Sequence, residues 1–369
     1  MATTVSPATA ARSTRGDAVP LAGKPILPVK FFFGLGLVIL AVFTNTIVQW
    51  MLSDDFKPAP VGADPIPRLT LILVRNTEIF FGVMSLFFLW KLLFKPWIRD
   101  KRISWDGMIM LALLTMWVQD PMCNYFNFTF SYNAYFINMG SWTMHLPGWQ
   151  SPRQGNLPEP IFMMGGVYLW WTTLNVIAFS WALTRMKVWL PQFSTLGHIP
   201  IAFFVVCVLD WILEIPCVWL GIFAYPGAPA WATWWAGEPH QFPIYETIFM
   251  NFNYMSIGLL RFYRNDKGES WAERGISEFK LPDGAKTAMR WVALVGYCNL
   301  SYFIVYFMPY NWMALQADTF PKYPSYMRYE ICGQGTPYAC PSREVPIPSR
   351  NSLAIPPDDP RLSDEARRN

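Results

Sequence analysis

HIPIAFFVVCVLDWILEIPCVWLGI, residues 198–222, is long and apolar enough to cross a bilayer, yet it carries Asp210 and Glu214 in its middle. A helix of about 20 apolar residues spans the hydrocarbon core. The rest of the chain agrees: 53% of the residues are hydrophobic, 17% aromatic and 15% charged. Soluble domains carry roughly a quarter charged residues, and so much apolar surface would drive one to aggregate. The sequence therefore reads as an all-α membrane protein.

Working outward, runs of similar character predict a bundle of about seven transmembrane helices, at 31–52, 69–94, 106–121, 161–184, 198–222, 243–263 and 286–308. The third is short and closes on Asp120-Pro121. Lysine and arginine test the count, because they collect in cytoplasmic loops. With a cytoplasmic N-terminus, the inside segments gather Arg12, Arg15, Lys24 and Lys30, then Lys91 to Arg102, Arg185 with Lys187, and Arg261 to Arg290. The outside loops hold Lys57, Arg68 and Arg153. The C-terminus then lies outside.

Three parts follow from this layout. Residues 1–30, rich in Ala, Thr and Pro, are expected to form a disordered cytoplasmic lead. Residues 31–317 form the membrane domain, with an outer polar-aromatic loop at 122–160, and the first span reads as a retained anchor rather than a signal peptide. Residues 318–369 form a Pro-rich, irregular outer tail. Cys332 and Cys340 lie there, on the oxidising side, where a disulfide and two free thiols are both open. The formal charge of +4 is accounted for by the inside loops and points to no nucleic-acid partner. The lipid bilayer is the expected surrounding, in a bacterial plasma membrane; the oligomeric state is open.

Ionisable groups inside a span are costly and mark functional positions by default. Arg75 and Glu78 share one face of the second span, and Asp210 and Glu214 share one face of the fifth. Glu246 opens the sixth, with Asn251 further in, and Asp120 ends the third. Structural uses compete at each position: an Arg75 bridge between helices, a polar helix end at Asp120, a hydrated Glu246. The Asp210/Glu214 pair is hardest to explain that way, since two acids on one buried face repel. Four spans thus bring acids to one outer layer, accompanied by Arg75 alone. His145, His198 and His240 all lie away from span interiors, which excludes a bis-histidine haem within the bundle, and no metal or nucleotide motif appears. The inventory of acids, amides, hydroxyls and rings suits acid–base chemistry on an apolar small molecule, without metal or cofactor.

The succession WVQDPMCNYFNFTFSYNAYFINMGSW (117–142), HLPGWQSP (145–152) and LPEP (157–160), with VLDWILEIP (208–216), resembles the spirocyclase AveC-like family over roughly residues 31 to 330. The resemblance implies a polytopic membrane enzyme, similar to a dehydratase and spiroketal cyclase of avermectin-type polyketide biosynthesis. It brings no catalytic residue with it position by position. On the charge argument, Asp210 and Glu214 are expected as the acid/base pair and Asp120 as a second acid, with Arg75 and Glu78 tuning them. Asn124, Tyr125, Asn133, Trp142, Glu246 and Asn251 are expected to hold the substrate. A proton-coupled small-molecule or lipid carrier and a membrane terpene cyclase are the competing readings; a seven-helix receptor has only the span count behind it.

Overall fold

The computed structural model describes residues 28–151, 153–333, 335–345 and 353–367. Most of the expected disordered lead lies outside these residues, and its last three positions already belong to the first helix. Seven helices of ten residues or more, 3-10 segments apart, are found among the described residues: α1 Pro28–Met51, α2 Arg68–Asp100, α3 Trp105–Leu114, α4 Ile161–Trp189, α5 Thr195–Trp219, α6 Ile244–Phe262 and α7 Asp283–Ala314. Five of them, α1, α2, α4, α5 and α7, are long and apolar enough to cross a membrane. The other two correspond to the expected third and sixth spans. α6 matches its expected bounds but buries Glu246, Asn251 and Asn253 along its length.

The third span departs from expectation for a local reason. α3 ends at Leu114, and the backbone tightens into a 3-10 helix over Thr115–Asn124 that contains Pro121. Proline has no N–H to donate, and its ring crowds the carbonyl four residues back, so Pro121 leaves the Trp117 carbonyl without an α-helical partner. Ser104 and Ser194 open α3 and α5 as side-chain caps, their hydroxyls accepting from the N–H of Gly107 at 3.0 Å and of Gly197 at 3.2 Å. α2, α4 and α7 each contain one widened π turn, at Leu89–Phe94, Val167–Trp171 and Phe303–Phe307.

Close packing rests on small residues where backbones touch. A Cβ on Gly36 of α1 would lie 2.0 Å from the Val292 carbonyl oxygen, and one on Gly296 of α7 would lie 2.2 Å from that of Phe32. Without a hydrophobic driving force in lipid, such close approach is what holds helices together. Outward faces are apolar, with Ile79, Val83, Phe204 and Ile212 all exposed.

The two ends of the bundle are built differently. At one end, α3, α6, α7 and the loop between the last two are joined by paired charges. Arg261 donates twice to Asp106 at 2.9 Å, and Arg290 donates to Glu273 at 2.6 Å. Glu273 also accepts from the Trp105 indole at 2.9 Å and from the Ser270 hydroxyl. At the other end, the loops interlock. A short strand β1 (Ser131–Tyr132) pairs antiparallel with β2 (Phe223–Ala224), and β3 (Thr233–Trp234) pairs with β4 (Phe242–Pro243). The beginning of the tail, expected to be irregular, packs over β1: Ala134 N–H donates to the Tyr326 carbonyl at 2.9 Å, and the Tyr329 hydroxyl donates to the Tyr132 carbonyl. Cys332 and Cys340 are joined by a disulfide.

Candidate active site

Beneath the interlocked loops lies a cavity of about 460 Å³, within the range of small-molecule sites. α2 and α4 supply apolar walls, including Phe80, Phe81, Met164 and Trp170. The polar lining consists of Asp120, Glu214, Glu246, Cys123, a set of tyrosines, and Asn76, Thr77 and Thr172. It is a greasy chamber with three acids in its lining.

Asp120 is buried at the turn that Pro121 forces. Tyr132 donates to its Oδ2 at 2.8 Å and Tyr168 donates to its Oδ1 at 2.5 Å. With its own proton committed, Tyr168 accepts from Tyr302 at 2.5 Å. Both carboxyl oxygens are therefore held as acceptors, and a chain of hydroxyls leads from Asp120 to α7. Two of the widened turns serve this arrangement: Tyr168 lies inside that of α4, and Tyr302 and Tyr306 border and occupy that of α7. Such turns alter which residues face inward and recur at functional sites.

In a second group, one oxygen each of Asp210, Glu214 and Glu246 lie within 4.8 Å of one another. Spacing explains the first two, four residues apart on one face of α5. Glu246 arrives from the first turn of α6. Asn251 donates to Asp210 Oδ2 at 2.9 Å, and Tyr306 donates to Glu246 Oε1 at 3.0 Å. Asp210 Oδ1, Glu214 Oε2 and Glu246 Oε2 find no donor. The Glu214 and Glu246 carboxyls instead interact with each other, and a carboxyl–carboxyl contact is a hydrogen bond when one partner carries a proton. These three carboxylates could also hold a divalent cation, which prefers such ligands; a proton shared by Glu214 and Glu246 would be the alternative way to balance the pair's charge.

Tyr306 joins the two groups, contacting Cys123 at 3.6 Å as well as Glu246. Among the described residues, none of Asp120, Glu159, Asp210, Glu214 and Glu246 takes part in an ion pair.

Glu159 was not among the expected site residues. It accepts from the Trp117 indole at 3.0 Å and lies against Asp120. Burial, and then the neighbouring Asp120 charge, push its carboxyl well above the ordinary glutamate range. It borders a second cavity of about 360 Å³, lined also by Trp50, Trp117 and Trp142. A glutamate between prolines in LPEP looks like a solvated loop residue, which is why its sequence gave no signal. The tyrosines did leave one: Tyr302, Tyr306 and Tyr310 recur every four residues, the repeat of one helix face.

The remaining expected residues fall into two sets. Asn251 supports Asp210, and Asp210 itself stands behind the chamber wall, so Glu214 and Glu246 are the acids that face the cavity. Asn124 and Asn133 are occupied by backbone. Asn124 Oδ1 accepts from Thr129 and Phe130 N–H, both at 2.9 Å, and Asn133 donates to the Gly221 carbonyl at 2.9 Å. They shape the loop instead of facing a ligand. Tyr125 donates to the Gly148 carbonyl at 2.8 Å, and the Trp142 indole donates to that of Val118 at 2.8 Å. Glu78 accepts from Arg75 and from the Ile137 N–H, both at 2.6 Å, and so ties α2 to the loop at some remove from the acids.

The family model described as spirocyclase AveC-like matches residues 100–329, well over half of the chain. That range begins at the last residue of α2, so α1 and nearly all of α2 fall outside it. No curated protein and no solved structure matches the chain.

Proposed function

We propose, from the premise that this chain belongs to the spirocyclase AveC-like family, that it is an integral-membrane cyclase or dehydratase. Its substrate would be an apolar molecule bearing hydroxyls and a ketone, such as a polyketide or lipid. The observation that carries this reading is the pair Glu214–Glu246, which lines one largely apolar chamber together with the tyrosine-held Asp120.

The chemistry follows from the two carboxyl environments. A hydroxyl adds to the ketone to give a hemiketal. The proton shared by Glu214 and Glu246 passes to the hemiketal hydroxyl, whose C–O bond breaks and releases water. The resulting oxocarbenium ion is stabilised by the remaining carboxylate and by the faces of Tyr132 and Tyr168. A second substrate hydroxyl then attacks, and its proton returns to the acid pair or passes to Asp120, closing the cycle with net loss of one water. General acid–base assistance of this kind contributes about 10²- to 10⁴-fold. The apolar walls keep bulk water from intercepting the cation.

Seven spans, with the charge-paired end in the cytoplasm, belong to the same proposal. The Arg- and Lys-rich segments at that end support it through the positive-inside rule, and a bacterial plasma membrane is the expected setting.

Metabolite profiles of a deletion strain test the function when it is complemented with the wild type, Glu246→Gln or Asp120→Asn at equal membrane abundance. A compound lighter by one water that only the wild type restores is the expected result. If the same unaltered compound instead accumulates on one side of the membrane, the acids move molecules and the enzyme reading fails.

A further inference from the structure

The chamber is closed toward the loops and open toward the side. Its roof is aromatic: Phe130 meets Tyr132, Tyr225 and Phe223 at ring-centroid distances of 4.8, 5.2 and 5.7 Å. The β1–β2 pair carries Tyr132 and Phe223, and the tail lies across its outer surface. Access from outer water would require unstacking these rings and lifting the tail.

Between α2 and α5 there is no comparable seam. The two helices make no extended contact. The chamber rim there is formed by Asn76, Thr77 and Phe80 from α2 and by Leu213 and Cys217 from α5. Phe80 is 53% exposed and Leu213 46% exposed, on helices whose outward faces are apolar. An opening there gives onto lipid, not onto water. Its inner end holds the polar groups, Glu214, Glu246 and Asp120, while its outer lip is hydrophobic apart from Asn76 and Thr77.

We propose that the substrate is a bilayer-dissolved amphiphile that enters sideways through the α2–α5 opening, oxygen-bearing end first. Its apolar part stays between Phe80 and Leu213 while its oxygens reach the acids. Moving an alkyl chain from lipid into an apolar portal exchanges one apolar surrounding for another, so access needs no large desolvation. Asn76 and Thr77 offer hydrogen bonds to the oxygenated end as it passes the lip. The choice of substrate class rests on the proposed function; the route does not.

Photolabelling in phosphatidylcholine nanodiscs separates the two. The probe is a dodecanol bearing a diazirine near its hydroxyl, compared with a short, water-soluble diazirine carboxylate, and crosslinks are mapped by peptide mass spectrometry. The dodecanol probe is expected to label the chamber wall around Met163, Met164 and Tyr168, and the water-soluble probe is expected to leave it unlabelled. Leu213→Trp and, independently, Thr77→Phe narrow opposite lips. Each should lower interior labelling by about tenfold, equivalent to about 1.4 kcal/mol, without changing labelling of the exposed face of α1 around Val38. Two independent lip variants guard against a single misfolded protein, and unchanged α1 labelling reports an intact bundle. Equal interior labelling by both probes, or lip variants that leave it unchanged, would overturn the lateral route. The readout involves no turnover, so its failure leaves the proposed chemistry standing, and a failed product assay leaves the route standing.

Discussion

The two ends of this bundle spend their acids in opposite ways. At the charge-paired end, Asp106 receives both arms of Arg261, and the fully buried Glu273 receives Arg290, Trp105 and Ser270. At the loop end, Asp120, Glu159, Asp210, Glu214 and Glu246 are buried or half-buried, and among the described residues none has a cationic partner. A buried carboxylate with its arginine is a fastening, because removing either partner strands the other. A buried carboxyl held by tyrosines, amides and other carboxyls is poised to exchange protons. Burial alone therefore does not distinguish structural from chemical acids; the company each one keeps does.

The contrast is broken or sharpened most strongly by isosteric neutralisation at each end. Glu246→Gln and Asp120→Asn should lower product formation by about 100-fold or more, while the protein remains folded by size-exclusion chromatography and thermal melting. Glu273→Gln should do the reverse, removing about 3 kcal/mol of stability while leaving turnover per folded molecule unchanged. If Glu273→Gln abolished turnover in folded protein, the division between the ends would collapse.

A smaller effect is expected within the loop end. Tyr168→Phe removes a 2.5 Å donor to Asp120 and the acceptor for Tyr302. A hydrogen bond to a charged group contributes about 1.5–3 kcal/mol, so turnover should fall by about tenfold or somewhat more. Steady-state kinetics on membranes of equal protein content would check this, with the change expected in kcat more than in KM.

Glu159 gives a pH-dependent test. Burial and the Asp120 charge raise its folded-state affinity for a proton, so the unfolded chain loses that proton first as pH increases. Its contribution to stability is complete below the ordinary glutamate value of about 4.3 and declines from there up to its raised folded value. The difference between wild type and Glu159→Gln in melting temperature should therefore slope with pH above that point. A flat difference would mean that Glu159 is ionised in the fold.

The smallest change is expected at Arg75, whose side chain is 46% exposed and which meets Glu78 away from the chamber. Arg75→Gln should alter turnover by less than about threefold, in line with the small contribution of exposed ion pairs.

Much of this was legible in the chain. Apolar run length announced the membrane helices, and the four-residue spacing of Asp210 and Glu214 announced their shared face. What the sequence could not convey was depth within a constellation. Asp210 and Glu214 differ by one helical turn, and only packing decides that Glu214 faces the cavity while Asp210 stands behind it against Asn251. The amides of the 122–160 loop misled for a related reason: a loop without regular structure must satisfy its own backbone groups, and Asn124 and Asn133 do that work. Glu159 was hidden by its setting, since a glutamate between two prolines reads as a surface residue until a tryptophan is found donating to it.

The segment that lies over the roof is synthesised after all seven helices. Tyr326, Tyr329 and the Cys332–Cys340 disulfide all follow α7 in the chain, so every helix can be inserted while the chamber still lacks its outer cover.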